Sequence, residues 1–326
     1  MEVIYDRQGP IAGVDATVMT IGTYDGIHHG HRKIVSEVVR RAKQRFFASV
    51  VVSFDRHPLS VLRPEMAPLR LISLDQKIEL IESLGVDYLY LLTFDDERVS
   101  QSARDFVYDV VIDGVKAKEV LVGSNFRFGH KREGDVEFLS TVGSEEGFDV
   151  FGVGLSMVSE VLKSTRPDAD QPISSTLIRR MITSADLSSA SALLHRHHSL
   201  RGVVVGGDQR GSGELGYPTA NLEIPSQLAV PLDGVYAGTL RPLGSSQPYL
   251  AAISIGTRPT FYPSGGPRLI ESFVLDFDGD LYGREVEVGF VEYLRPQIAY
   301  ESIEELISQI SKDVRDVRVK VVLGPP

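Results

Sequence analysis

Residues 22–31 read GTYDGIHHGH and place three of the chain's eight histidines, His28, His29 and His31, within four positions. Imidazoles this close together serve one of three chemistries: they ligate a metal, exchange protons, or donate hydrogen bonds to a phosphate. A metal site would draw on His28, His31 and Asp25, yet no second carboxylate or histidine group is placed to complete the ligand set. A polar surface turn with incidental histidines would have little use for three glycines in ten residues. A phosphate site uses all of them. Gly22, Gly26 and Gly30 let the backbone turn sharply and come close to a ligand, and the free N–H groups at the start of a following helix attract the anion. Phosphate is the reading these residues favour.

The surrounding sequence supplies the elements that would hold such a turn. VMTIG reads as the first strand and HRKIVSEVV as the first helix, so the cluster falls at the carboxyl end of a strand, where open α/β sheets bind ligands. The alternation of strand and helix patterns continues through ASVVVSF, LDQKIELIESLG, YLYLLTF, ARDFVYDVVIDGV, KEVLVGSNF, DVEFLSTVGSEEG and FDVFGVG to a helix over SSTLIRRMITS. Residues 1–184 therefore read as a doubly wound α/β domain around a parallel sheet. After the helical ADLSSASALLHR the texture changes. RGVVVGG, GVYAGTL, PYLAAISIG, ESFVLDF and EVEVGFVEYL are strand-like runs separated by turn-rich stretches with no helices between them. They predict an antiparallel β-barrel or sandwich over residues 185–326, closed by the amphipathic helix SIEELISQISKDVRDV.

Composition agrees with two globular cores. A length of 326 residues suits two domains, and 42% hydrophobic with 24% charged residues is ordinary for folded protein. No apolar run approaches the roughly 20 residues that span a bilayer, and MEVIYDRQGPIAGVD is too acidic and broken for a signal peptide, so the expected location is the cytoplasm, with no membrane partner. The chain has no cysteine, which excludes disulfides, thiolate nucleophiles and thiolate zinc sites. A formal charge of −10 argues against broad nucleic-acid binding, which needs a basic face. A small anion held by backbone donors is compatible with that charge. Self-association is left open.

GTYDGIHHGH resembles the nucleotidyltransferase signature of the bacterial bifunctional riboflavin kinase/FMN adenylyltransferases, or FAD synthetases, with Tyr24 where phenylalanine is commoner. The resemblance implies a Rossmann-like nucleotidyltransferase domain in which His28 and His31 stabilise the α-phosphate of ATP during adenylyl transfer. Gly22, Tyr24, Asp25 and Gly30 would belong to the same nucleotide site, with His29 a spectator. FDRHP, Phe54 to Pro58, resembles the family's segment after the second strand, but Arg56 stands where proline is frequent, which leaves flavin contacts there open. GSNFRFGHKREGD, by itself a glycine-bounded hairpin, resembles the segment after the fourth strand, with Asn125 and Arg127 at its flavin-facing part. ISSTLIRR resembles the element that opens the last helix of the domain. By themselves Ser174, Ser175 and Thr176 are natural helix caps; the resemblance makes Ser175, Thr176 and Arg179 an anion site for the departing pyrophosphate.

The second half contains a literal G-x-G-x-x-G, GSGELG, but Pro218 follows two residues on with no helical run behind it, so the strand–turn–helix of a dinucleotide site is absent. RGSGELGYPTANL instead resembles the flavokinase motif, in which a glycine-rich loop, here carrying Gly211 and Gly216, covers ATP. Thr219 and Asn221 would help to hold Mg²⁺ and phosphates. SIGTRPTF resembles a further family stretch, and ESFVLDFDGDLYG opens on Glu271, the implied base for the riboflavin 5′-hydroxyl. Asp276, Asp278 and Asp280 lack the spacing of a calcium loop and read as turn acids. The implied chemistry phosphorylates riboflavin with ATP to FMN and ADP, then adenylylates FMN with a second ATP to FAD and pyrophosphate. Mg²⁺ would enter as Mg-ATP, with no protein-held zinc. Two other classes fit parts of the pattern: an aminoacyl-tRNA synthetase relative, against which the acidic balance argues, and a flavin carrier without catalysis, against which His28, His31 and Glu271 argue.

Overall fold

The computed structural model describes residues 1–163, 165–206, 219–223, 226–256 and 269–323. The chain forms two compact units, Met1–Ser175 and Thr176–Pro326. The first is built on six parallel strands, β1 (Glu2–Tyr5), β2 (Thr17–Ile21), β3 (Ala48–Phe54), β4 (Tyr88–Leu92), β5 (Ala117–Gly123) and β6 (Asp149–Val153). Their order is β1-β4-β3-β2-β5-β6. β2 is therefore the strand from which the order runs both ways, and its carboxyl end is the topological switch point.

Burial on both faces explains why these strands read as almost unbroken apolar runs: all five residues of β2 are buried. Met19, Val50 and Val120 pack into one core layer with Val107, Val110 and Leu139. Val18 and Leu121 face the other way, onto Val38 and Ala42. Those two belong to α1 (His29–Arg45), whose buried Val35, Val38, Val39 and Ala42 follow the helical period. The remaining connections are α2 (Leu59–Leu62) and α3 (Leu74–Glu82) before β4, α4 (Asp96–Ser100) and α5 (Ala103–Phe106) before β5, and α6 (Val136–Glu146) before β6.

Three features differ from the sequence expectation. VMTIG is the second strand, because EVIY forms β1 at the sheet edge; four residues with a single fully buried side chain leave almost no periodic signal. The helix expected over ARDFVYDVVIDGV opens as α5 but continues as a π-helical stretch over Val107–Gly114. TANLE, which follows the glycine-rich stretch and is not among the strand-like runs, is strand β8 of the second unit, hidden by its buried Asn221 in a type of element that asparagine disfavours.

Helix α7 (Ser175–Thr183) begins at the last residue of the first unit, and α8 (Leu187–Leu194) follows it. The second unit is an antiparallel barrel of β7 (His198–Val205), β8 (Thr219–Glu223), β9 (Gly234–Pro242), β10 (Tyr249–Gly256), β11 (Leu269–Val274) and β12 (Glu285–Arg295). It closes in the order β10-β11-β8-β7-β12-β9, so that each described strand has a neighbour on both sides. Leu222, Ile253, Ile270 and Phe290 fill its interior. Its outer face is covered in part by α9 (Ile303–Lys320), whose Val314 and Val317 pack on Ala237, Phe273 and Leu275. Asp313 of α9 pairs with Arg295 at 2.7 Å.

Candidate active sites

The histidine turn connects β2 to α1. His28 takes the N-cap position of α1 in extended conformation, while His29, Gly30 and His31 form its first turn. The two flanking imidazoles stack, with centroids 3.6 Å apart and planes at 19°. Tyr24 meets His31 edge-on at 5.0 Å and is itself fixed by a 2.6 Å hydrogen bond between its hydroxyl and Thr20 Oγ1. Burial, then the neighbouring His28 and Lys77, lower the His31 pKa well below the ordinary imidazole range. His31 is therefore a neutral imidazole at physiological pH, and its buried Nδ1 has no hydrogen-bond partner among the described residues.

The backbone of the turn carries strain that its composition conceals. Of the three glycines only Gly26 has positive φ, at 87°; a Cβ on Gly22 would lie 3.0 Å from the Tyr24 ring, and one on Gly30 would meet only ordinary contacts. The left-handed positions are instead taken by Tyr24 (φ 48°) and by the β-branched, fully buried Ile27 (φ 44°). Such outliers persist where surrounding packing over-determines them, commonly at sites that bind or react. Ser156, after β6, packs near Gly30, and its buried hydroxyl also has no partner among the described residues.

Asp25 is buried and serves the scaffold. Its Oδ1 accepts a 2.8 Å hydrogen bond from the Leu71 N–H, and its carbonyl accepts one of 2.8 Å from Ser175 Oγ. The last residue of the first unit is thereby tied to the histidine turn. Thr176 and Arg179, on the same helix, are joined at 3.3 Å between Oγ1 and the guanidinium. Asn125 is exposed in the turn after β5, the strand paired with β2. Arg127, two residues on, pairs at 2.7 Å with Asp135, which in turn caps α6. The expected hairpin is present as a single bridge between Phe128 and Gly134.

A cleft opens beside Asp25, lined also by Asp55, Arg56, His57, Arg70 and Lys77. Asp55, Arg56 and His57 of the FDRHP segment thus line the same cleft as the histidine turn's aspartate. Lys77, in the second turn of the helix read as LDQKIELIESLG, is a site residue that the sequence did not reveal. Its ammonium donates to Ser53 Oγ at 3.2 Å and to the Phe54 carbonyl at 3.0 Å, and burial pushes its pKa down to about 8.

In the barrel, Glu271 of β11 lies directly opposite Asn221 of β8 on one side and Ser254 of β10 on the other. Residues opposite one another share a face, so the three form a polar row across three strands. The alternate residues Ala220, Ile253 and Ile270 point into the barrel, which puts the row on the outer face of its wall, with Asn221 buried there. Thr219 Oγ1 reaches Glu271 Oε1 at 3.4 Å, and Gln297 Nε2 donates to Ser254 Oγ at 3.0 Å. Glu271, Thr219 and Asn221, separated by about fifty residues of sequence, are therefore brought together. Gly211 and Gly216, and residues 257–261 of SIGTRPTF, lie outside the described residues. The hydroxyl and amide oxygens of Thr219 and Asn221 are the hard donors that suit magnesium.

Fold and side chains together give two separate polar constellations, the histidine turn at the end of β2 and the Glu271 row on the barrel. The comparisons supply the class. Residues 12–166 match the FAD synthetase family model and residues 194–321 the riboflavin kinase model. The bifunctional riboflavin kinase/FMN adenylyltransferase of Escherichia coli K12 is 33% identical over 299 residues, covering 92% of this chain and 91% of its own length. That of Pseudomonas fluorescens is 36% identical over 301 residues, covering 92% of each. A crystal structure described as a macrolide-efflux protein from Streptococcus pneumoniae superposes with a TM-score of 0.82 at 26% identity, over 98% of this chain and 99% of that one. No described helix of the present chain is long and apolar enough to cross a membrane. The chain belongs to the bifunctional riboflavin kinase/FMN adenylyltransferase family.

Proposed function

We propose that two consecutive transfers on one flavin are divided along the chain. Residues 185–326 phosphorylate riboflavin with ATP, giving FMN and ADP, and residues 1–184 transfer the adenylyl group of a second ATP to FMN, giving FAD and pyrophosphate. The family matches over residues 12–166 and 194–321 support this division. The observation that carries it is the occurrence of two separate constellations: the stacked His28–His31 pair at the end of β2, and Glu271 among the oxygens of Thr219 and Asn221 on the barrel.

In adenylyl transfer a phosphate oxygen of FMN attacks the α-phosphorus of ATP as pyrophosphate leaves. Charge grows on the α-phosphoryl oxygens, and fixed donors that meet it there lower the barrier without a covalent intermediate. A neutral His31 keeps one N–H to donate, and the α1 N-terminus adds its backbone N–H groups. Gly22, Tyr24, Asp25 and Gly30 form the nucleotide pocket around the pair. Asn125 and Arg127 contact the flavin, and Ser175, Thr176 and Arg179 receive the pyrophosphate.

In the kinase step Glu271 accepts the proton of the riboflavin 5′-hydroxyl as its oxygen attacks the γ-phosphorus of ATP. Thr219 and Asn221 would hold Mg²⁺, which would neutralise charge on the ATP phosphates; Gly211 and Gly216, outside the described residues, would belong to the motif that covers the nucleotide. A chemistry that consumes two ATP per flavin belongs in the cytoplasm. Incubation of the protein with riboflavin, ATP and Mg²⁺, with the flavins then resolved chromatographically, tests the reading. FMN appears first and FAD after it; recovery of bound, unchanged riboflavin would make the protein a carrier.

A further inference from the structure

Lys77 has no ion pair among the described residues, although the cleft it lines contains two carboxylates. Both acids are already committed. Asp25 Oδ1 accepts from the Leu71 N–H at 2.8 Å, and Asp55 accepts from the Phe94 N–H at 3.1 Å and from Arg56 Nε at 3.2 Å. The ammonium instead rests on two neutral oxygens, Ser53 Oγ and the Phe54 carbonyl, at the carboxyl end of β3. Withdrawing a cation from water without a counter-ion is unfavourable, and an anionic ligand beside it would offset that cost. Lys77 also helps to depress the pKa of His31, and its cleft is lined by Thr23 and Asp25 of the histidine turn.

We propose that Lys77 binds a phosphate group of the adenylyl-transfer reactants, holding it at the end of β3 in the cleft it shares with Thr23 and Asp25 of the histidine turn. This rests on the adenylyl-transfer reading of residues 1–184. Two neutral partners occupy two of the three ammonium donors, and the third is available to an anionic oxygen. The phosphate comes either from FMN or from ATP, and the two sources separate kinetically.

The groups facing Lys77 set its response to pH. Asp25 from the histidine turn and Asp55 after β3 favour the cation, whereas Arg70 before α3 and burial oppose it, leaving its pKa at about 8. His31 is neutral and contributes no opposing charge above pH 7. Phosphate affinity therefore falls as pH rises through about 8, because the ammonium loses its proton there.

The test measures KM for FMN and for ATP in FAD formation by the full chain, for the wild type and for Lys77→Met and Lys77→Arg, between pH 7 and 9. Lys77→Met should raise one of the two KM values about 10- to 100-fold, as loss of a charge-assisted hydrogen bond does, and the affected substrate identifies the phosphate. In the wild type the same KM should climb toward pH 9, and Lys77→Arg, charged throughout, should flatten that climb. The unliganded Lys77→Met protein should melt at or above the wild-type temperature, since it loses an unpaired charge. Unchanged KM values in Lys77→Met, or a lowered melting temperature with only kcat reduced, would make Lys77 part of the scaffold and overturn the proposal. A wild-type protein that makes no FAD from FMN and ATP would instead overturn the adenylyl-transfer reading itself.

Discussion

The imidazole of His28 lies on that of His31, with 3.6 Å between centroids and 19° between planes. Ring lone pairs lie in the ring planes, so two nearly parallel rings at this separation do not converge on one ion at the roughly 2.0–2.1 Å of a zinc–nitrogen bond. Protein purified without added metal should therefore contain no stoichiometric zinc, while both reactions require added Mg²⁺. Elemental analysis by mass spectrometry checks this. Stoichiometric zinc that disappears on His28→Ala would overturn the phosphate assignment.

His31→Ala removes a donor to the α-phosphoryl group. By comparison with oxyanion donors, FAD formation from FMN should fall about 10²- to 10³-fold. Riboflavin phosphorylation should continue, so FMN accumulates in a coupled assay. Equal loss of both reactions, in protein of unchanged circular dichroism, would contradict separate sites.

Asn125 stands exposed in the turn after β5, next to the strand that carries the histidine turn. Asn125→Ala should raise KM for FMN or ATP in FAD formation and leave FMN formation near its wild-type rate. Steady-state kinetics with each substrate varied decide the point, and unchanged constants would leave this segment a structural hairpin.

His198 offers a test of the barrel alone. Its side chain is buried, bonded through Nε2 to the Ala229 carbonyl at 2.9 Å, and burial pushes its pKa down to about 4. A histidine whose folded pKa lies below its unfolded value near 6.5 binds its proton more readily when unfolded. Stability is thus complete above about pH 6.5 and declines as pH falls toward 4, by about 3 kcal/mol for this group. His198→Gln should reduce the acid sensitivity of chemical unfolding across that window. Identical slopes for wild type and variant would show that His198 does not titrate as its burial requires.

The histidine turn was legible because its chemistry is local: three histidines and three glycines in ten residues, placed between a β-branched run and a helical one. The parallel sheet was legible for a similar reason, since burial on both faces leaves continuous apolar runs such as ASVVVSF. Lys77 was not. A lysine in an amphipathic helix reads as solvent-facing, and only the packing of α3 against the end of β3 turns its ammonium onto Ser53 and Phe54. The left-handed backbone at Tyr24 and Ile27 was equally hidden, because positive φ is signalled by glycine and here falls on residues that resist it. The meeting of Thr219 and Asn221 with Glu271 depends on strand register, which residue types alone do not give.

The most direct test of two chemistries at two sites is Glu271→Ala assayed with each starting flavin. Loss of the base should lower FMN formation from riboflavin by about 10²- to 10⁴-fold. FMN supplied directly should still become FAD at the wild-type rate, because the His28–His31 pair lies in the other unit. If Glu271→Ala keeps its circular dichroism spectrum yet no longer converts FMN to FAD, the assignment of the two reactions to separate sites is contradicted.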